Sequence, residues 1–436
     1  MPMNLANINN LLKVQYLGAC RNYINFQART LKACKPGTKS WSGREIQFPF
    51  HSRRSNSVMV GVGGENGPTA QYQQQAVVTI PLRQIWGFIR ITKDAILASK
   101  DRSGAFEKAV SFEMKGMSKE MVDLSERMIW GAGDGKIGEV ESYNAGTLTV
   151  TTSRMSDTAG SGLNGNADNR YIRVGQVLDF YTSGSAVRSL SATVASVNLS
   201  NGTFVLDAAA SPSNPSAGDG IYISRPSGQT PINVDPMGIP GIIDDGTYVS
   251  TLHGVVRATY PIFNAQIINA GSFASPGAFQ EQFLQRAFDA ADEGSGMRPK
   301  WLFCHHSVRQ EVVKQLVVAR RYMDPLEYQA GFKEGNGEGL PQTELSYNGV
   351  PFMVSKYAPW GTIFGWNPNV ARIYQYEEPS WIDDGNGGVL SRVPSITGTY
   401  EAQMYWPYNV SVDDNGPNSS FAIRFISATV DRVVFT

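Results

Sequence analysis

The chain has 436 residues, of which 42% are hydrophobic, and its 38 basic and 38 acidic residues balance. Its length predicts two or three domains, the zero net charge argues against a general nucleic-acid binder, and only three cysteines argue against a disulfide framework. The sequence contains no apolar stretch of about 18 residues and no basic leader followed by an apolar run, so we expect neither a membrane helix nor a signal peptide.

The neutral total hides an uneven distribution of charge along the chain. The first 92 residues hold 11 of the 38 basic residues and 2 of the 38 acidic ones, which leaves 27 basic and 36 acidic residues for the remainder. Opposite charges on two parts of one chain favour contact between the N-terminal part of one copy and the body of another. A solvated basic tail, or one that touches nucleic acid, is the alternative interpretation.

An N-terminal arm over residues 1–44 is followed by an extended, two-stranded loop over residues 45–92. Ile46, Phe48 and Phe50 recur at every second position, which indicates a half-buried strand. The tip reads GGENGP, and glycine and Asn-Gly readily adopt the positive φ that tight turns need. The predicted segments are a strand over 45–50, its extension over 57–62, a turn over 63–68, and return strands over 76–82 and 85–92.

A long amphipathic helix is predicted over residues 104–130, where apolar residues recur at spacings of three and four. Ser103-Gly104 precedes it, and a glycine-rich stop follows it. Its methionines favour an adaptable surface for contacts between copies, and a core helix with methionine as filler is equally compatible. The apolar stripe consists of Phe106, Val110, Met114, Met117, Met121, Leu124 and Met128.

Residues 136–228 contain short β-prone runs separated by Asn-Gly, Gly-Ser and proline turns, which predicts an inserted β-rich module that is a small barrel or a sandwich. The runs lie at residues 147–151, 171–181, 191–197, 203–206 and 220–224.

The chain from residue 231 onward reads as mixed α/β. Ser275-Pro276 is predicted to open a helix that ends before Gly294. A short buried strand follows over residues 299–304, and Ser307 with Gln310 predicts the capping box of the next helix. The closing strands are predicted over residues 362–366, 370–376, 396–412 and 421–435.

Motifs that could carry chemistry are weak. The glycines between Gly61 and Gly67 imitate a phosphate loop, but no helix pattern follows them, so a turn is favoured. Cys304, His305 and His306 are zinc-type ligands without the paired spacing of a zinc site, so a strand end is favoured.

Three acidic pairs stand beside glycine or asparagine and are taken as solvated turns, because none has the ligand order of a calcium loop. They are Asp244-Asp245, Asp383-Asp384 and Asp413-Asp414. The prediction is therefore a non-enzyme with no catalytic, cofactor-binding or metal-binding residue.

The order of these parts resembles the major capsid protein of tailed bacteriophages, which has the Hong Kong 97-type fold. The residues that carry the likeness are the loop over 45–92, the helix over 104–130, PKWLFCHHSVRQEVVKQL at 299–316 and GVPFMVSKYAPWGTIFGWNP at 349–368. The resemblance implies an α+β protein with an N-terminal arm (1–44), an extended loop (45–92), a spine helix with part of a peripheral domain (93–135), the inserted β-rich domain (136–228), an axial α/β domain (229–370) and closing peripheral strands (371–436).

The resemblance also implies a function and partners. Copies of the chain would form pentamers and hexamers of an icosahedral shell around double-stranded DNA, in a virion assembled in the host bacterial cytoplasm. Expected partners are a portal protein, a separate scaffolding protein and a decoration protein, with no membrane and no cofactor. The predicted contacts between subunits are Arg44, Arg53, Arg54, Glu65, Arg83, Arg90, Met114, Met117 and Met121.

Some members of this family crosslink through a loop lysine, but this chain has no lysine between Lys39 and Lys93. We therefore expect burial, strand addition and charge pairing to stabilise its shell. The rival hypotheses are an encapsulin-type compartment shell, a tail or surface protein that binds glycans through aromatic residues, and a hydrolase that uses Asp383 or Asp413. The aromatic residues in question are Trp360, Trp381, Tyr405, Trp406 and Tyr408.

Overall fold

The structure is a computed structural model of the chain. It describes residues 29–37, 43, 45–55, 57–58, 60–61, 66–98, 109–152, 169–198, 202–226, 229–269, 280–319, 332–334, 343–359, 361–382, 389–393, 398–413 and 416–424. No helix within these ranges has the length and apolar character needed to cross a membrane.

The described part of the N-terminal arm is its root, helix α1 (Arg29–Ala33) and strand β1 (Lys35–Pro36). Strands β2 (Glu45–Arg53) and β3 (Gln74–Pro81) form an antiparallel pair of their own. Exposed and buried residues alternate along β2 from Glu45 to Phe50, as its period-2 pattern predicts. The expected extension over residues 57–62 is wrong in its described part, because β2 ends at Arg53.

The next elements are strand β4 (Arg83–Thr92), helix α2 (Lys93–Ala98) and helix α3 (Ala109–Met128), the spine helix. The predicted spine is confirmed over residues 109–128, and its expected start at Ser103-Gly104 lies outside the described residues. Strand β4 does not continue the hairpin, because it pairs along its whole length with a strand near the C-terminus.

Six strands in the middle of the chain close into a barrel in the order β10-β5-β6-β9-β8-β7. Their apolar side chains, among them Leu178, Phe180 and Phe204, form a core separate from the rest. The strands are β5 (Lys136–Asn144), β6 (Thr149–Thr152), β7 (Val177–Tyr181), β8 (Val187–Asn198), β9 (Thr203–Leu206) and β10 (Gly220–Ile223). The assignment of residues 136–228 as an inserted domain stays a prediction.

The second half of the chain builds two further sheets. A seven-stranded mixed sheet has the order β13-β23-β18-β14-β17-β16-β15, and helices α5 and α6 supply side chains to its core. A six-stranded sheet is centred on β22, which pairs with β19, β20, β21 and β4.

The bounds in this half, in chain order, are α4 (Ile239–Ile242), β11 (Thr251–Leu252), β12 (Val255–Val256), β13 (Gln266–Asn269), α5 (Glu281–Ser295), β14 (Trp301–Cys304), α6 (His306–Ala319), β15 (Phe332–Glu334), β16 (Thr343–Tyr347), β17 (Val350–Val354), β18 (Thr362–Trp366), β19 (Ala371–Gln375), β20 (Ser380–Trp381), β21 (Ser391–Arg392), β22 (Thr399–Val412) and β23 (Phe421–Arg424).

Two predicted helix starts are corrected. Helix α5 begins at Glu281 rather than at Ser275-Pro276, because Gln280 is extended, with φ −134° and ψ 139°. Helix α6 is capped by His305 rather than by a Ser307–Gln310 box, since the N–H of Ser307 donates to Nδ1 of His305 at 3.2 Å.

The spine helix lies on the inner face of β4 and joins the sheets through one large core. Gly87 allows this close approach, because a Cβ at its position would lie 2.8 Å from Sδ of Met117. At the end of the helix, the ring of Trp130 lies 5.8 Å from the rings of both Phe303 and Phe364. The predicted α+β class is confirmed, and the order of arm, hairpin, spine helix and α/β layers agrees with the resemblance to tailed-phage capsid proteins.

Candidate assembly surfaces

The hairpin formed by β2 and β3 is anchored at its base and exposed at its tip. One face of the base is buried in the chain's own core, where the ring of Phe50 lies 5.5 Å from that of Tyr260 and 4.7 Å from that of Phe263. The backbone N–H of Thr79 also donates to the carbonyl of His253 at 3.0 Å. The base therefore fixes the direction in which the tip leaves the body.

The two arms near the tip are held together by polar contacts rather than by a strand ladder. The hydroxyl of Ser57 accepts the N–H of Gln71 at 2.7 Å and donates to its carbonyl at 3.1 Å. Val58, Val60 and Tyr72 are 91%, 101% and 79% exposed. A segment that exposes apolar side chains without covering them in its own chain is typical of a binding surface.

Two of the predicted contact residues lie on this hairpin and point into solvent. Arg53 and Arg54 are exposed, and neither has an ion pair within the described part of the chain. Arg44 and Glu65, predicted for the same surface, lie outside the described residues. The structure therefore brings one adjacent pair of cations together with the exposed apolar side chains of the tip.

The two arginines of β4, Arg83 and Arg90, already interact with acidic residues of their own chain. Arg83 is half-buried, and burial lowers the pKa of its guanidinium while the charge of Asp235 opposes that shift. Arg90 donates to Glu401 on the facing strand at 2.7 Å, and this contact lowers the pKa of the Glu401 carboxyl. The role of these arginines between subunits stays a prediction.

The predicted methionine contacts are corrected. Met114, Met117 and Met121 are 2%, 9% and 4% exposed, and all three belong to the core between the spine helix and the sheets. They cannot meet a neighbour without unfolding their own chain, so the interpretation as core filler holds for them. The outward face of the same helix carries Glu113 and Glu120, which are both exposed.

An aromatic face on β4 escaped the sequence analysis. The outward positions of β4 hold Trp86 and Phe88, which are 44% and 56% exposed. The ring of Trp86 lies 4.5 Å from that of Tyr405 and 6.3 Å from that of Phe88. The signal was present in the sequence, because aromatic residues occupy the positions of an alternating strand where polar residues are expected.

The aromatic face borders a groove of about 850 Å³. Leu124 and Met128 of the spine helix line it together with Trp86 and Phe88, and residues 223–226, 229, 231 and 234–236 contribute further lining. Within the described residues, β4 pairs only with β22, so its other edge is open. An apolar groove beside an open strand edge suits an extended polypeptide.

The residues considered for chemistry have structural roles where they are described. Cys304 is fully buried, and burial raises the pKa of its thiol to about 12. His305 caps helix α6, with Nδ1 2.8 Å from the hydroxyl of Ser307. Searched over its described part, the chain has no group of three His, Cys, Asp or Glu side chains that could hold a metal.

The interpretation of the acidic pairs as solvated turns is corrected in part. Asp244 is not solvated, because its carboxylate is fully buried 3.6 Å from Arg257 and accepts the N–H groups of Gly246, Tyr248 and Val249 at 3.0 Å each. Asp413, considered for a hydrolase, forms an ion pair of 2.9 Å with Arg372 and accepts the hydroxyl of Tyr374. Asp383, Asp384, Asp414, Gly63 and Gly64 lie outside the described residues.

The aromatic residues proposed for glycan binding are mostly unsuited to that role. Trp381, Trp406 and Tyr408 are 4%, 4% and 0% exposed, and Trp360 lies outside the described residues. Tyr405 alone of the described four is only half-buried, and its ring contacts Trp86.

Comparisons with known proteins give likenesses of fold. No family model and no curated protein matches the chain. The capsid asymmetric unit of cyanophage A-1(L) is 10% identical, with 92% of this chain and 94% of that chain covered and a TM-score of 0.48. The capsid of a native GTA particle is 8% identical, with coverages of 92% and 91% and a TM-score of 0.43.

A further likeness is the holo-SrpI encapsulin complex from Synechococcus elongatus, which is 8% identical with coverages of 94% and 90% and a TM-score of 0.42. All three TM-scores are below 0.5, so these likenesses carry no weight on function. Reasons for a function must come from the surfaces of the chain itself.

Proposed function

We propose that the chain is a major capsid protein, many copies of which form an icosahedral shell around the double-stranded DNA of a tailed bacteriophage. The observation that supports this most is the hairpin tip, because it carries exposed apolar side chains and two exposed arginines that its own chain leaves uncovered. Such a tip gains stability when a second copy covers it. Repetition of one such contact around a closed symmetry builds a shell.

The hairpin of one copy would lie over the spine helix of the next. Glu113 and Glu120 are exposed on that helix and offer carboxylates to Arg53 and Arg54 of the hairpin. The exposed surface of the helix also carries Lys115 and Lys119, so the pairing depends on register and gives specificity more than affinity. The apolar tip supplies most of the contact energy by burial.

The remaining predicted partners follow from this role. We propose pentamers and hexamers of the chain, a portal protein, a separate scaffolding protein and a decoration protein, with DNA on the inner face of a virion that assembles in the host cytoplasm. No lysine is available in the hairpin for a covalent crosslink, since Lys39 and Lys93 bracket a lysine-free stretch. Non-covalent contacts would therefore carry the stability of the shell.

The test reverses two charges at the hairpin tip. The variant Arg53→Glu/Arg54→Glu should give a folded chain whose yield of closed shells, counted by electron microscopy, falls by at least about tenfold, because like charges then face the spine helix. The matched control, Arg53→Lys/Arg54→Lys, keeps the charge and should assemble. Unchanged shell yield in the Glu variant would defeat the proposed contact.

The same particles separate a phage head from an encapsulin-type compartment. Shells recovered from infected or phage-producing cells should contain double-stranded DNA, measured as nuclease-protected nucleic acid after purification. Shells that protect a protein cargo and no DNA would establish the compartment instead. Monodisperse small oligomers in every condition, with or without co-expressed phage proteins, would overturn both.

A further inference from the structure

The root of the N-terminal arm is held against the body by a buried carboxyl group. Both the backbone N–H and the hydroxyl of Thr30 in α1 donate to Oε1 of Glu126 on the spine helix, the N–H at 3.4 Å. The hydroxyl of Ser355 donates to the same oxygen, also at 3.4 Å. Glu126 is 6% exposed and Thr30 is 1% exposed, so the carboxyl and its donors are almost completely covered.

The two oxygens of Glu126 have different surroundings. Oε1 accepts three hydrogen bonds, whereas the buried Oε2 has no hydrogen-bond partner among the described residues. Glu126 lines a cavity of about 240 Å³ between the spine helix and residues 354–357. A carboxyl group that is protonated on Oε2 would keep all three bonds on Oε1 and would remove the buried charge.

Few charged groups surround this carboxyl. The root presents the thiol of Cys34, and the central strand β22 presents the phenol of Tyr408, both fully buried and uncharged because burial raises their pKa. Asp123, Lys356 and His306 line the same cavity, where Lys356 lies 3.5 Å from Asp123.

The spine helix itself adds one further charge beside Glu126. The neighbouring Arg127 is bound to Asp235 at 2.7 Å. No cation among the described residues forms an ion pair with Glu126 that would hold its charge in place.

We propose that Glu126 is a proton-operated clasp for the root of the arm, so that the protonated carboxyl holds residues 30–36 against the body and the ionised carboxyl releases them. Release costs the burial of Leu31 and Cys34 and the pairing of β1 with β19, and it returns the carboxylate to water. The clasp is a property of the single chain and does not depend on shell formation.

The sign of the effect follows from the raised pKa. Burial raises the pKa of Glu126 above its ordinary value, and the bonds from Thr30 and Ser355 only partly oppose this. A group whose pKa is higher in the docked state stabilises docking at low pH, and this stabilisation is lost as pH rises through the raised value. The root should therefore be closed in acid and open more often toward neutral and alkaline pH.

Peptide-resolved hydrogen exchange of the full chain tests the clasp. The exchange rate of residues 29–36 is measured from pH 5 to pH 9 in the wild type and in Glu126→Gln. At each pH the rate of the wild type is divided by that of the variant, because the intrinsic exchange rate then cancels. The ratio should rise with pH by up to about tenfold per unit above the ordinary glutamate range. A ratio that stays flat over this range would overturn the proposal.

Two further variants keep the test decisive. Glu293→Gln removes an exposed carboxyl from helix α5, away from this junction, and its ratio to the wild type should stay flat at every pH. If Glu126→Gln does not fold, Thr30→Val removes one hydroxyl donor and leaves the carboxyl. Exchange at the root of Thr30→Val must then still rise with pH relative to Glu293→Gln, because the ionised carboxylate of Glu126 has lost one of its hydrogen-bond donors. The absence of that rise would reject the clasp.

Discussion

The exposed aromatic face of β4 gives the sharpest test of where copies of the chain meet. A tryptophan side chain presents up to about 250 Å² to burial, so the 44% of Trp86 that is exposed corresponds to about 110 Å². At about 25 cal/mol per Å², covering this area with a neighbour contributes up to about 2.7 kcal/mol per subunit. If a neighbour covers the face, Trp86→Ala loses most of this contribution.

The expected result is a shift in the concentration at which shells form. A loss of about 2.7 kcal/mol corresponds to about a hundredfold increase in the critical concentration, and half coverage still gives about tenfold. Light scattering and sedimentation over a concentration series measure it, in the reaction in which the wild type assembles. Leu190→Ala is the matched control, since Leu190 is 45% exposed on the barrel, away from the groove.

A folding defect must be separated from an assembly defect. The ring of Trp86 contacts that of Tyr405 at 4.5 Å, so its removal also costs the unassembled chain about 1 kcal/mol for this ring pair, in addition to the loss of its buried area. Thermal unfolding of unassembled protein measures this cost directly, and Trp86→Phe retains an aromatic ring at the site. An unchanged critical concentration for a folded Trp86→Ala variant would refute the idea that a neighbour covers this face.

Two further predictions concern buried ionisable groups. Arg257→Met should lower the free energy of unfolding by about 3–5 kcal/mol, since it leaves the fully buried carboxylate of Asp244 without its ion pair. The control Arg298→Met removes one partner of an exposed pair and should cost less than about 1 kcal/mol, so equal shifts of the two variants in urea unfolding would contradict this prediction. Burial lowers the pKa of His253 to about 4, so the stability should fall as pH drops from about 6.5 toward 4, by about 1.4 kcal/mol per unit, and His253→Asn should flatten that slope in acid unfolding curves.

The sequence predicts best the elements whose buried face follows from the local spacing of apolar residues. Strand β2 alternates as expected, the spine helix buries its methionine stripe, and β9 and β18 have the predicted bounds. In each case the side chains that decide the structure lie within one strand or one helix. Local spacing alone is then sufficient to show which face is buried.

The features that depend on distant parts of the chain were not predictable in this way. Thr30 and Glu126 are 96 positions apart, and nothing near either of them marks the contact. Asp244 was taken as a solvated turn residue because it belongs to an acidic pair beside a glycine, but its carboxylate is fully buried next to Arg257. His305 was assigned to a strand end rather than to a metal site, but its role as the cap of the following helix was not predicted.

The exposure of aromatic residues also depends on distant parts of the chain. Trp406 and Tyr408 were considered for glycan binding although they stand in a predicted strand, and both belong to the central strand β22 and are covered by its neighbours. Trp86 stands on the edge strand β4, where the described chain leaves 44% of its side chain exposed. The position of a strand within its sheet decided which aromatic residues are exposed, and that position is set by pairing across about 300 residues.

Strand β4 turns one face to the core and the other face outward. Its inward side chains pack beneath the spine helix, and Gly87 sets the distance, because any Cβ there would press on Met117. Its outward side chains, Trp86 and Phe88, are 44% and 56% exposed, and this part of their surface remains available to a neighbour. Since adjacent residues of one strand alternate between these faces, a substitution at an outward position can weaken the shell while the fold is retained. That separation is what a chain needs if it must fold first and close into a shell afterwards.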